Sequence, residues 1–144
     1  MYKSVLVATD GSETADEAVR IATELAKEFG AVLHVVTVYE SGTKGALHIA
    51  EMTGPYPGSV DLLSIADTLL EGIASLARTQ GVETHTYAVT GTVADRIVAV
   101  AEEQQVELIV VGNKGMKGAK RILGSVPNAV AHAAPCAVLI HSTT

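Results

Sequence analysis

One segment of the chain combines glycines with the start of a predicted helix, as an anion-binding loop requires. It begins at Gly112, includes Gly115 and Gly124, and continues into Ser125. Glycines allow main-chain N–H groups to approach an anion closely. The first N–H groups of a helix favour a phosphate, and the Ser125 hydroxyl adds a donor. The segment therefore predicts a phosphate site; the alternative is a crossover loop in which the glycines only turn the chain.

The positive charges of the chain are concentrated in the same region. The net charge of the 144 residues is −6, yet residues 108–144 contain no acidic residue and four basic ones, Lys114, Lys117, Lys120 and Arg121. Four cations close together would raise the local concentration of an anionic ligand, although a solvated surface loop has the same composition. The acidic total argues against a general nucleic-acid-binding protein.

Other combinations of residues give little support to enzymatic or metal chemistry. The glycine-rich segment lacks the Gly-Lys-Ser/Thr ending of a Walker A loop and the Gly-x-Gly pair of a dinucleotide fingerprint. The histidines have no metal-ligand spacing, and His48 with Glu51 supplies only two ligands. No catalytic residue and no metal ligand is predicted, and Asp10 is the one evident candidate for a general base.

The composition also bears on the compartment. A single cysteine, Cys136, cannot form an internal disulfide, and it is expected to pack in a strand. The first residues contain no apolar signal-peptide segment, and no stretch approaches the roughly 20 apolar residues that span a bilayer. The sequence therefore predicts a cytoplasmic protein without a membrane association.

Hydrophobic periodicity divides the chain into alternating strands and helices. Thr14 and Glu17 are predicted to form a capping box at the start of the first helix, and Gly30 follows its end. Thr92 is predicted to cap the third helix. The predicted strands are Lys3–Thr9, Ala31–Tyr39, Glu83–Val89, Glu107–Val111 and Cys136–Ile140, and the predicted helices are Ala15–Phe29, Val60–Gln80, Val93–Ala101 and Ser125–Ala133.

Strict alternation of strands and helices implies an α/β fold, a single parallel sheet with helices on both faces. No repeat or second domain is visible, so residues 1–144 are predicted to form one domain with a mobile insertion at residues 40–59. In such sheets ligands bind beyond the carboxyl ends of the strands, where the strand order reverses. The loops after strands one, two and four are therefore the expected site.

Five segments carry a resemblance that covers essentially the whole chain: Val7–Ser12, Leu33–Val38, Val110–Gly115, Gly124–Asn128 and Ala134–Ile140. They resemble segments of the universal stress protein family. The ATP-binding branch has glycine, two residues, glycine, nine residues, glycine, and then serine or threonine. Here eight residues separate Gly115 from Gly124, one fewer. The resemblance implies a Rossmann-like, adenine nucleotide alpha hydrolase-like fold with an open five-stranded sheet in the order 3-2-1-4-5.

The resemblance also implies which residues would contact ATP. One group would surround the nucleoside: Asp10 at the ribose, Ala8 and Thr9 in the same pocket, and Val38 at the adenine through its backbone. A second group would hold ribose and phosphates: Gly112, Gly115, Gly124, Ser125 and Val126, with Val111, Asn113 and Lys114 completing the set. A Mg²⁺ ion would bridge the phosphates, without a dedicated set of ligands in the sequence.

The strand order that the resemblance implies places the predicted last strand, Cys136–Ile140, at a sheet edge, and an apolar edge promotes aggregation unless it is covered or paired. The resemblance implies that it pairs with a second copy in an isologous homodimer. On this interpretation the protein is a stress-response regulator that binds ATP and hydrolyses it slowly at most. The alternatives are a binder of AMP or cyclic AMP, a nucleotide-free interaction module, and an ATP-dependent enzyme.

Overall fold

The computed structural model describes residues 1–39, 61–114 and 123–143. The predicted insertion at residues 40–59 and the predicted ligand residue Gly115 lie outside the described residues.

The described residues form five strands and four helices in alternation, as the periodicity predicts. The strands are β1 (Ser4–Ala8), β2 (Val32–Tyr39), β3 (Thr84–Thr90), β4 (Leu108–Lys114) and β5 (Ala137–Thr143). The helices are α1 (Glu13–Phe29), α2 (Leu62–Thr79), α3 (Val93–Glu103) and α4 (Ser125–Ala133).

The strands form one parallel sheet in the order β3-β2-β1-β4-β5, which confirms the predicted order. β1 lies at the centre, where Val5 pairs with Leu33 of β2 on one side and with Leu108 of β4 on the other. β3 and β5 are the two edge strands. The order reverses between β1 and β4, because the chain crosses from β3 over the first half of the sheet to start the second half.

Helices cover both faces of the sheet, so the apolar runs of the central strands are buried on both sides. On one face, Val5 and Val7 of β1 and Val35 of β2 pack beneath Ala22 of α1 and Leu70 of α2. On the other face the packing involves α3 and α4, and the buried residues are Leu6, Val36, Ile97, Ile109 and Val130. Successive residues of each strand thus enter different cores, because side chains alternate across a sheet.

The start of α1 differs from the prediction. Ser12 is the N-cap residue, and its Oγ accepts the Ala15 N–H at 3.2 Å, whereas Thr14 lies inside the helix. The capping box at Thr14 is therefore wrong, because the turn after β1 brings Ser12 to the free N–H groups two residues earlier. The end is as predicted: Gly30 has φ of 63°, a left-handed conformation that suits glycine.

β4 is longer than predicted. It was expected to end at Val111, but Gly112, Asn113 and Lys114 continue the strand and pair with residues 141–143 of β5. A strand ends where its hydrogen bonds to a neighbouring strand end. These hydrogen bonds cannot be predicted from the composition of a glycine-containing segment. Three predicted ligand residues are consequently in the sheet and not in a loop.

None of the helices among the described residues is long and apolar enough to span a membrane.

Candidate functional site

A cavity of about 250 Å³ opens at the carboxyl ends of β1, β2 and β4. It lies at the point where the strand order reverses, because the chain leaves β1 toward α1 on one face and leaves β4 toward α4 on the other. The divergence of these two connections opens the space between them. The residues that line it are Ala8, Thr9, Asp10, Ser12, Thr14, Ala15, Ala18, Val38, Val93, Ile97, Val111, Gly112, Val126 and Pro127.

Much of the wall is apolar. Val38 contributes from β2, Val111 from β4, and Val126 from α4, while Val93 and Ile97 stand one helical turn apart on α3. Such a wall suits a flat, weakly polar ring better than a charged group, because a charge there would lose its hydration without gaining a partner.

The turn from β1 into α1 is held by its own hydrogen bonds. The Thr9 N–H donates to the Val36 carbonyl at 2.9 Å, and the Thr37 hydroxyl donates to the Thr9 carbonyl at 2.6 Å. Within the turn, Thr9 Oγ1 accepts the Gly11 N–H at 3.0 Å and Asp10 Oδ1 accepts the Ser12 N–H at 2.9 Å. The Asp10 carboxylate is thereby fixed on the rim of the cavity.

The α1 end of the cavity is acidic. Glu13 and Asp16 occupy the first turn of α1, close to Asp10. Burial raises the pKa of the Asp16 carboxyl, and the negative charges of Asp10 and Glu13 raise it further. Ser12 already accepts an N–H of this helix end, so fewer donors remain for an anion. The carboxylates can accept hydrogen bonds from hydroxyl groups, and their charge would repel a phosphate.

The α4 end of the cavity has the opposite character. The N-cap residue of α4 is Gly124, which supplies no side-chain cap, and the first turn contains no acidic residue. Pro127 has no N–H, and the Asn128 N–H donates to the Gly124 carbonyl at 3.0 Å. The N–H groups of Ser125 and Val126 are therefore the donors that this helix end directs outward, and helix N-termini favour anions.

Gly112 lies where α1 crosses β4. A Cβ at this position would stand 3.4 Å from the Thr14 carbonyl oxygen and 3.4 Å from Thr143 Cγ2. A branched side chain would have to push α1 outward or fill the cavity. Glycine thus keeps this part of the wall open and the helix close to the sheet.

The structure brings together a majority of the predicted ligand residues. Four others, Asn113, Lys114, Gly124 and Ser125, are described but do not line the cavity. Lys114 and Ser125 are exposed, and Asn113 is buried behind the wall. The predicted residues that line the cavity are Ala8, Thr9, Asp10, Val38, Val111, Gly112 and Val126.

Sequence reasoning missed the helical part of the wall. The N-cap residue Ser12 and Thr14, Ala15 and Ala18 of α1 line the cavity, and Val93 and Ile97 contribute from α3. The spacing of Val93 and Ile97 indicated a buried helix face, and Ile97 does belong to a core. Their place in the sequence could have predicted this, because both lie in the first two turns of a helix that follows a parallel strand, close to the strand ends where ligands bind.

Within residues 1–39, 61–114 and 123–143, no three histidine, cysteine or carboxylate side chains are placed to share a metal ion. Two histidines instead pair with carboxylates: His85 Nε2 lies 3.0 Å from Glu83 Oε2, and His141 Nε2 lies 3.1 Å from Glu17 Oε1.

An open parallel sheet with a cleft at its reversal point defines a doubly wound α/β protein whose site is built on strand ends. The model of the universal stress protein family matches residues 1–141, and the chain belongs to this family. It is 34% identical to a universal stress protein of Methanocaldococcus jannaschii, over 97% of this chain and 82% of that protein.

Solved structures of the same family share the fold. A universal stress protein in complex with cAMP is 30% identical, with a TM-score of 0.72 over 99% of this chain and 98% of that one. The universal stress protein of Archaeoglobus fulgidus in complex with dAMP is 25% identical, with a TM-score of 0.66 over 96% of this chain and 97% of that one.

Proposed function

We propose that this protein binds an adenine nucleotide in the cavity between β1 and β4 and acts as a stress-response regulator through the bound state. The observation that carries the proposal is the polarity of the cavity: an apolar wall separates an acidic, capped helix end at α1 from open main-chain donors at α4. The complexes of two family members with adenine nucleotides support the same assignment.

The polarity orients the nucleotide. The adenine ring would pack against Val38, Val111 and Ile97, and Asp10 would accept hydrogen bonds from the ribose hydroxyls. The phosphates would leave the cavity past Val126, toward the N–H groups of α4 and away from the carboxylates of α1. A volume of about 250 Å³ suits a nucleoside whose phosphates continue outside it.

The ligand we favour is ATP, because Gly112, Gly115, Gly124 and Ser125 follow the pattern of the ATP-binding branch with one residue fewer between the second and third glycines. Mg²⁺ would accompany it on the phosphates. Hydrolysis would be slow at most, since Asp10 is the only carboxylate that lines the described part of the cavity and it already accepts the Ser12 N–H.

AMP or cyclic AMP is the second candidate, and the family members solved with cAMP and dAMP favour it. A single phosphate could reach the N–H groups of Ser125 and Val126 without the longer tail of ATP.

The nucleotide can be identified directly. Freshly purified protein is denatured, the released compounds are separated by ion-exchange chromatography, and ATP, ADP, AMP, cyclic AMP and GTP are titrated by calorimetry with and without Mg²⁺. We expect adenine nucleotides to bind and GTP to bind more weakly. Failure of every adenine nucleotide to bind would leave a nucleotide-free interaction module.

A pair of variants tests the position of the phosphates. Val126→Asp places a carboxylate beside the open donors, and we expect it to weaken ATP binding at least about tenfold, as loss of one charge-assisted hydrogen bond would. Asn128→Asp adds the same charge to an exposed position of the same helix outside the cavity, so it is the matched control. Equal effects of the two variants would contradict the proposed orientation.

We also propose that two copies associate through β5. It is an edge strand, and Val138, Leu139 and Ile140 remain partly exposed although they pack against the two cores. Pairing with the same strand of a second copy would cover them in an isologous interface. The cytoplasm remains the proposed compartment.

A further inference from the structure

Asn113 occupies a position that its predicted role as a ligand contact does not explain. Its side chain is 2% exposed, and its Oδ1 accepts the Gly124 N–H at 2.7 Å. Successive strand residues point to opposite faces, so Gly112 faces α1 while Asn113 faces the α4 side. The carboxamide thus joins the end of β4 to Gly124, the N-cap residue of α4.

Gly124 fits this contact closely. A Cβ on Gly124 would stand 3.0 Å from Asn113 Oδ1 and 3.4 Å from Pro127 Cδ. Gly124 has φ of −62°, a conformation open to any residue, so its backbone does not demand glycine. The lack of a side chain at position 124 therefore serves the hydrogen bond from its own N–H to Asn113.

The hydrogen bond connects β4 to the N-terminus of α4. Because the Gly124 N–H is used by Asn113, and Pro127 has no N–H, the donors left for an anion are those of Ser125 and Val126. Their direction depends on how the first turn of α4 is held against β4. The Asn113–Gly124 hydrogen bond ties this turn to β4, and Val126 and Val130 pack the same helix into the core.

We propose that Asn113 and Gly124 form a clamp that positions the N–H groups of Ser125 and Val126 for the phosphate of the bound nucleotide. Asn113 is then a positioning residue that acts through α4. Glycine is needed at position 124 because a side chain there would press against Asn113 Oδ1, and not because the phosphate approaches closely. This inference rests on the proposed nucleotide binding.

The first test compares adenosine, AMP and ATP in calorimetric titrations of the wild type and Asn113→Ala. Adenosine has no phosphate, so its affinity reports the cavity alone. We expect adenosine affinity to change less than about twofold and AMP and ATP affinity to fall about tenfold or more, the value of a charge-assisted hydrogen bond. An equal loss for all three compounds would mean a general structural role and would overturn the clamp.

The second test is a double-mutant cycle with Gly124→Ala. In the wild type the added methyl group displaces Asn113 Oδ1, and we expect AMP affinity to fall nearly as much as in Asn113→Ala. In the Asn113→Ala background the contact is gone, so the methyl group should cost little more. Additive losses would show that Gly124 acts directly on the phosphate, and the clamp would be rejected.

A third measurement does not depend on any nucleotide. Hydrogen exchange of the Gly124 amide, followed by NMR in the ligand-free protein, should be slow in the wild type and faster in Asn113→Ala. Asn113→Asp keeps an acceptor oxygen and should retain the protection. Unchanged exchange in Asn113→Ala overturns the clamp. A wild type that binds no adenine compound yet shows the expected exchange contradicts the proposed function and retains the hydrogen-bonded clamp.

Discussion

At the scale of single residues, the site depends on two neighbours with opposite tasks. Gly112 leaves space beneath α1 at the cavity wall, and Asn113 turns its carboxamide to the other face to hold α4. Because strand side chains alternate across the sheet, this one-residue step places Gly112 at the cavity and Asn113 on the opposite face. Substitutions at these two positions should therefore have different signatures.

Gly112 allows a graded prediction. In Gly112→Ala the Cβ lies 3.4 Å or more from its neighbours, so we expect nearly normal stability and nucleotide affinity. In Gly112→Val the additional methyl groups must displace α1 or enter the cavity, at a cost of about 1–3 kcal/mol in unfolding free energy. Nucleotide affinity should fall at least about tenfold, measured by calorimetry. A valine variant that binds as the alanine variant does would show that this wall is not part of the ligand surface.

At the scale of elements, the ends of the helices determine the polarity of the site. α1 is capped by Ser12 and carries acids in its first turn. α4 follows the N-cap residue Gly124, which makes no side-chain cap, and the first turn of α4 contains no acid. A capped, acidic helix end is stable without a ligand, and an uncapped one gains stability when an anion arrives. The N-terminus of α4 is therefore the more favourable of the two for a phosphate.

The caps of α1 and α3 give a matched pair of variants. Ser12 Oγ accepts the Ala15 N–H, and Thr92 occupies the same N-cap position of α3 without a side-chain hydrogen bond. Ser12→Ala should lower the unfolding free energy by about 1 kcal/mol. Thr92→Ala should lower it by clearly less, and urea unfolding of the ligand-free protein measures both. Equal losses would mean that the Ser12 hydrogen bond contributes nothing to stability.

A second prediction at this scale concerns the pairing of β2 with β3. His34 of β2 is 6% exposed, its Nδ1 lies 2.9 Å from the Tyr87 hydroxyl, and its ring stacks on His85 at 5.7 Å. Burial lowers the pKa of His34, the charge of His85 lowers it further, and the Glu83 carboxylate partly offsets both. Folding therefore disfavours the protonated form of this histidine.

The lowered pKa of His34 makes the stability of the protein depend on pH. Below the ordinary histidine pKa of 6.5 the unfolded chain binds a proton that the folded protein resists, so stability should fall as the pH falls through 6.5 and below. His34→Gln should make the unfolding free energy less dependent on pH between about 7.5 and 5, as measured with urea. His132→Gln, at an exposed position of α4, is the control and should retain the wild-type dependence. A steep dependence that persists in His34→Gln would contradict this prediction.

At the scale of the whole molecule, the sheet has two edges of different composition. β3 is covered in part by α2 and begins with three consecutive polar residues, Thr84, His85 and Thr86, while β5 is apolar from Ala137 to Ile140. An apolar edge is the more probable place for pairing with another chain. The assembly state should therefore respond to substitutions at β5 and not to those at β3.

Light scattering over a range of protein concentrations checks the proposed homodimer. We expect the mass of two chains at micromolar concentration. Ile140→Lys should shift the protein toward one chain, because a charge would then lie in the proposed interface. Val89→Lys alters an equally half-buried residue of the other edge strand and should leave the mass unchanged. A wild-type mass of one chain at every concentration would reject the dimer.

The sequence by itself determined the fold and the region of the site. Alternating apolar runs and amphipathic helices are local patterns of consecutive residues, so they predicted all five strands. The family resemblance predicted the sheet order, which the structure confirms. The glycines and basic residues predicted a phosphate site in the segment that begins at Gly112. Ser125–Ala133 was predicted to its ends, because glycine and a helix-breaking proline bracket it.

Only the tertiary structure decided which side chains face the cavity. β4 continues to Lys114 because β5 supplies hydrogen-bonding partners that are remote in sequence. Val93 and Ile97 have the pattern of a core stripe, and only the packing of α3 over the strand ends brings them to the cavity. Asn113 is buried because Gly124 returns to it after the intervening segment. Such contacts join residues far apart in the chain, and no local pattern of residues encodes them.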